Sequence, residues 1–86
     1  MMISPGGYAK IHENDSLSQL IKERKSLQRE RSSLEKLVFE KEKTSYGWMI
    51  MPGPDVRYQV CLEYLAEICH LIVERYREEL FGEEEE

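Results

Sequence analysis

The sequence predicts an all-α chain, an antiparallel two-helix hairpin of coiled-coil type. Three observations carry this. Leu20, Leu27 and Leu34 recur every seven residues in a stretch that holds no Gly or Pro from Asp15 to Tyr46. A second apolar-periodic stretch follows, opening at Pro54 and ending before Gly82. The ten residues between them, 44–53, read as a connector. Apolar residues at this spacing share one face of a helix, and burying that face is what holds a short helix in water.

Residues 1–15 read as an N-terminal arm. Ser4-Pro5 suits the start of a short helix, whereas Gly6-Gly7 weighs against one. The arm is expected to pack Ile3, Tyr8 or Ile11 somewhere on the hairpin. The first long helix is predicted over 16–43. Ser16-Leu17-Ser18-Gln19 fits a capping box, in which a serine hydroxyl and a glutamine side chain each satisfy a free backbone amide. Leu17 and Val38 fall on the column beside the leucines, with Arg24 and Arg31 between them, so the apolar seam is narrow and bordered by arginine. The connector 44–53 is unusually apolar for a loop, holding Tyr46, Trp48, Met49, Ile50 and Met51, and reads as a plug that closes the open end of the bundle, the functional alternative being a contact loop.

The second long helix is predicted over 54–81. Pro54 at its first turn gives up an amide that no helix would use, and Asp55 suits the positive end of the helix dipole. Gly82 fits a left-handed terminating position, and 83–86 form an acidic tail. The main apolar arc holds Tyr58, Cys61, Leu62, Leu65, Ile68, Cys69, Ile72, Tyr76 and Leu80, widened by Ala66 and Val73. A smaller strip holds Val60, Tyr64 and Leu71. One narrow-seamed partner helix cannot cover so wide an arc. The surplus points to self-association, with two hairpins forming a four-helix bundle.

Eighty-six residues make one domain at most, and a chain this short buries a marginal core unless a staple or a partner supports it. Cys61 and Cys69 stand on one helix about 12 Å apart along its axis, out of reach of a disulfide. Both are read as reduced, buried thiols, the alternative being an interchain disulfide across a dimer. No basic and apolar leader opens the sequence and no run is long enough for a bilayer, so the expected location is the cytoplasm and no membrane is expected. Charge is uneven. Residues 16–43 hold eight Lys/Arg against five Glu, and 54–82 hold three Arg against six Asp/Glu. That complementarity favours the two helices lying side by side, although each exposed pair contributes only about 0–1 kcal/mol.

No constellation of catalytic type is legible. Glu67-Ile68-Cys69-His70 has the Glu-x-x-His spacing of carboxylate-bridged metal bundles. On a helical wheel, however, Glu67 and His70 stand with Glu63 and Glu74 on the polar face. No metal, no cofactor and no enzymatic activity are expected. Lys22, Arg24, Lys25, Arg29 and Arg31 could follow a phosphate backbone. Glu23, Glu30 and Glu35 interleave with them and the chain is acidic overall, which weighs against nucleic acid.

The Ile-Ser-Pro opening, Leu-Ile-Lys-Glu-Arg at 20–24 and the stretch from Pro52 to Arg77 resemble short helical proteins of intestinal bacteria, often associated with mobile elements. Val56-Arg57-Tyr58-Gln59 and Leu62-Glu63-Tyr64-Leu65-Ala66-Glu67 carry most of that resemblance. It implies no activity and transfers no functional residue. It raises the prior for a small inhibitor of a nucleic-acid-handling enzyme, of anti-CRISPR or anti-restriction type, that uses its acidic face as a decoy.

The reading from the residues is a non-enzymatic protein-interaction module that self-associates as a homodimer. Its candidate contact residues are Tyr46, Trp48, Met49 and Met51 in the connector and Val60, Tyr64 and Leu71 on the smaller strip. The alternatives are the acidic decoy and a nucleic-acid binder using the first helix.

Overall fold

The computed structural model describes residues 3–40, 46–49 and 51–81. Among them every regular element is helical: α1 (Pro5–His12), α2 (Leu17–Val38), a single 3₁₀ turn (Tyr46–Met49) and α3 (Pro54–Phe81). The expected termination at Gly82 and the acidic tail 83–86 lie outside the described residues, as do positions 41–45 and 50 of the first helix's expected end and the connector.

The N-terminal arm holds a helix, so the described residues form three α-helices where two were expected. Ser4 caps α1: its Oγ accepts from the Gly7 amide at 3.1 Å, and its carbonyl accepts from the Tyr8 amide at 2.9 Å. Pro5 then occupies the first turn. The two glycines do not prevent the helix because its stability comes from docking Tyr8, which is buried, rather than from propensity. Ile3 and Ile11, offered as alternative anchors, are exposed.

A capping box opens α2. The Gln19 amide donates to Ser16 Oγ at 3.2 Å, and the Ser16 amide donates to Gln19 Oε1 at 2.8 Å. The buried residues of α2 are Leu20, Leu27 and Leu34. Arg24 and Arg31 are half-buried beside that column, with their Nε atoms out of solvent, so their aliphatic stems cover apolar surface. The helix ends at Val38, five residues short of the expected 43. No apolar residue continues the leucine column after Leu34, so the last turns would have nothing to pack. The indole of Trp48 instead donates to the Leu37 carbonyl at 3.0 Å, satisfying one of the acceptors a helix end leaves open.

Helix α3 starts at fully buried Pro54 and runs back along α2. The contacts fix that direction: Tyr58 meets Phe39 edge-on with ring centroids 6.3 Å apart, Cys61 Sγ donates to the Leu27 carbonyl at 3.3 Å, and Arg75 donates to the Glu13 carbonyl just before α2 begins. The core is one layer, formed by Tyr8, Leu20, Leu27, Leu34, Cys61, Ile68 and Leu71, with Tyr58, Tyr64, Leu65 and Ile72 packed at its margins. The molecule measures 58 × 21 × 14 Å. A helix with its side chains is about 10–12 Å across, so the body is hardly more than two helices thick.

Two stability outcomes follow. Ile68→Ala, at a side chain with no solvent exposure, is expected to lower the urea-unfolding free energy by about 2–5 kcal/mol. Gly6→Ala is expected to raise it by about 0.5–1 kcal/mol, because a Cβ there meets nothing within 4 Å and alanine holds a helix better than glycine. A loss of stability on Gly6→Ala would show that α1 is not formed in solution.

Candidate interaction surface

Seen along its axis, α3 presents apolar side chains in two opposite directions. The inward side carries Cys61, Tyr64, Ile68 and Leu71, which meet α1 and α2. The outward side carries Leu62, Ala66, Cys69, Val73, Tyr76 and Leu80, and all six are exposed. Their spacing alternates four and three residues from 62 to 80. That is the pattern of the buried a and d positions of a coiled coil. Among the described residues nothing covers it: Leu62 is 41%, Val73 46%, Leu80 50% and Tyr76 54% exposed. Leu65 and Ile72 flank the stripe and are half-buried.

This division corrects the sequence reading of α3 in three places. The arc expected to form the core was cut differently, so its outer half lies open. Cys69, expected to be buried, is an exposed free thiol, whereas Cys61 is buried. The strip offered as a contact surface is largely used inside the chain. Leu71 is buried in the core. The Tyr64 ring stacks on Tyr8 at 4.1 Å and 9°, and its hydroxyl donates to the Ile3 carbonyl at 2.5 Å. Val60 is half-buried. The unrecognised occupant is α1, whose docking the paired glycines disguised.

The connector candidates divide. Trp48 is half-buried and holds the end of α2 through its indole. Met49 and Met51 are 75% and 85% exposed. Tyr46 opens the 3₁₀ turn, and its side chain lies outside the described residues.

A second feature is a polar knot where α1, α2 and α3 meet. The Tyr8 hydroxyl donates to Glu23. His12 Nδ1 lies 2.6 Å from Asp15 Oδ2 and its Nε2 lies 3.4 Å from Glu23 Oε2. Burial, and then the hydrogen bond to Glu23, push the Tyr8 phenol far above the usual tyrosine range. The knot ties the arm to α2, and beside it an open hollow between α1 and α3 is lined by Gly6, Lys10, Glu13, Leu71, Arg75 and Glu78. Among the described residues no three His, Cys, Asp or Glu side chains are grouped to hold a metal ion. His70 is exposed and its Nε2 lies 3.0 Å from Glu74 on its own helix.

The basic face of α2 is a shallow hollow lined by Lys25, Gln28, Arg29, Arg31, Ser32 and Ser33. All six stand on one helix, and Arg31 is already paired with Glu35 at 3.2 Å. Among the described residues no helix is long and apolar enough to cross a membrane.

No protein-family model, no curated protein and no solved structure matches this chain. The surface therefore has to be understood from its own geometry.

The Tyr8 phenol gives a pH outcome. Its pKa is higher folded than unfolded, so above pH 10 the unfolded chain releases a proton that the folded chain keeps. Stability from this group is complete below about pH 10 and falls as pH rises beyond it. Burial raises the Cys61 thiol as well, with the same sign. Urea midpoints measured from pH 8 to pH 11 are expected to decline, and Tyr8→Phe is expected to make the decline shallower. An unchanged pH profile in that variant would show that Tyr8 is not docked.

Proposed function

We propose that this chain is a non-enzymatic protein–protein interaction module whose working surface is the open face of α3, and that it self-associates through that face as two hairpins forming a four-helix bundle. One observation carries this: six exposed apolar residues in coiled-coil spacing over 62–80, on a helix whose opposite side is already packed. Scattered surface apolar residues need no explanation, but a contiguous stripe of this kind marks an interaction site. The narrowness of the molecule supports the same reading. A single core layer leaves a short chain short of buried area, and a second layer laid on α3 would supply it.

Exposed Met49 and Met51 form a secondary contact in this reading, since methionine adapts to irregular partner surfaces. The reading places the chain in the cytoplasm, where an exposed thiol such as Cys69 stays reduced.

Val73→Glu tests the proposal. Val73 is 46% exposed, so a charge there leaves the packed core untouched, yet it would bury an unpaired charge in any assembly using the seam. Sedimentation of the unaltered protein at tens of micromolar is expected to give a dimer. The variant is expected to keep its circular dichroism spectrum and to dissociate at concentrations at least about thirtyfold higher, the effect of losing about 2 kcal/mol at an interface centre. An unaltered protein that sediments as a monomer would overturn self-association, and a variant that dimerises normally would remove the seam from it.

A further inference from the structure

Resting on that self-association, we infer that the second copy lies antiparallel on α3, with the two-fold axis crossing the seam level with position 71 along the helix and each a or d side chain meeting the residue whose number makes up 142 with its own. The seam itself points to this register. In an antiparallel coiled coil, an a residue of one helix shares a layer with a d residue of the other. The stripe of Leu62, Ala66, Cys69, Val73, Tyr76 and Leu80 is symmetric under that exchange. Leu62 meets Leu80 of the partner copy, Ala66 meets Tyr76 of the partner copy, and Cys69 meets Val73 of the partner copy, each layer occurring twice.

Side-chain volume favours this arrangement. The smallest residue of the stripe faces the largest, and the next smallest faces a valine, so every layer is filled to a similar depth. A parallel pairing sets Ala66 on Ala66 and Tyr76 on Tyr76. It would leave a void in one layer and crowding in another, both of which destabilise packed interfaces.

Charge favours it as well. In the antiparallel register, flanking positions on one side of the seam face their own kind. That brings Glu63 against Arg77 of the partner copy, and Arg77 against Glu63 of the partner copy. His70, held by Glu74 within its own helix at 3.0 Å, lies near its counterpart at the axis. On the other side Ile72 meets Ile72 of the partner copy, which widens the apolar strip at its centre. In the parallel pairing Glu63 and Arg77 each face apolar or aromatic positions, and neither finds an opposite charge. An isologous two-fold contact also closes on itself and leaves no stripe free for further copies.

Disulfide trapping reads the orientation directly. Val73→Cys places a cysteine in the same layer as the partner copy's Cys69, twice per dimer. In the unaltered protein the two Cys69 residues are staggered by four residues, about 6 Å of helix rise. Added to the separation across the seam, that exceeds the reach of a disulfide. Both proteins are oxidised as dimers, quenched with N-ethylmaleimide and run on non-reducing gels. Val73→Cys is expected to run as a covalent dimer and the unaltered protein as a monomer. A covalent dimer of the unaltered protein would overturn the proposal in favour of a parallel pair. A sedimenting dimer in which neither protein crosslinks would overturn this register while leaving self-association standing. A protein that sediments as a monomer would overturn both.

A charge exchange provides the independent check. Glu63→Arg and Arg77→Glu, made singly, each set like charges against one another at two places in the dimer and are expected to raise its dissociation constant about tenfold. Combined in one chain they are expected to restore it. Additive losses in the double variant would overturn the facing of Glu63 and Arg77.

Discussion

Helix α3 carries apolar side chains over more than half its circumference, and among the described residues only one long helix and one two-turn helix cover it. Everything else in the molecule follows from that mismatch. Helix α2 brings a single column of leucines, so it covers one narrow side. Helix α1 is laid over the next side, where Tyr8 stacks on Tyr64 and Leu71 closes beneath it. Among the described residues no further element lies on the third side. The stripe from Leu62 to Leu80 is therefore a matter of how the helices are arranged, and no local accident of rotamers would remove it.

The same mismatch leaves the described core one side chain deep. Its polar groups are placed at element ends. Ser4 and Ser16 cap helices, Trp48 closes one, and the knot of Tyr8, His12, Asp15 and Glu23 fastens the arm.

Much of this was legible in the residues, and the exceptions have physical causes. The leucine column of α2 and its capping box depend on local spacing, which a linear sequence displays directly. Helix α1 was obscured because Gly6-Gly7 lowers propensity, while its stability comes from a tyrosine docking onto a helix far along the chain. Propensity is local and docking is not. The early end of α2 was hidden for a related reason: helix-forming residues continue past Val38, but apolar ones on the packed column do not. The division of α3 was the hardest to see. Its apolar arc is nearly continuous on a wheel, and only the positions of α1 and α2 decide which half is covered. Leu71 reads as surplus and is core, whereas Cys69 reads as core and is surface. An arc wider than any single partner could cover is visible in the sequence. Where its open part falls is not.

The tether between the Tyr64 hydroxyl and the Ile3 carbonyl has a consequence for the order of folding. It joins residues 61 positions apart, while the bond from Cys61 to Leu27 spans 34. The contacts of the arm with α2, from Tyr8 and His12 to Glu23, are local, whereas its stack and tether on Tyr64 require α3 to have come back along α2 first. No disulfide adds to these contacts, since Cys61 and Cys69 are free. Local opening of such a short docked helix would expose its amides to exchange before α2 and α3 part, and would uncover Tyr64 and Leu71, so the apolar area offered by α3 is coupled to the docking of the arm.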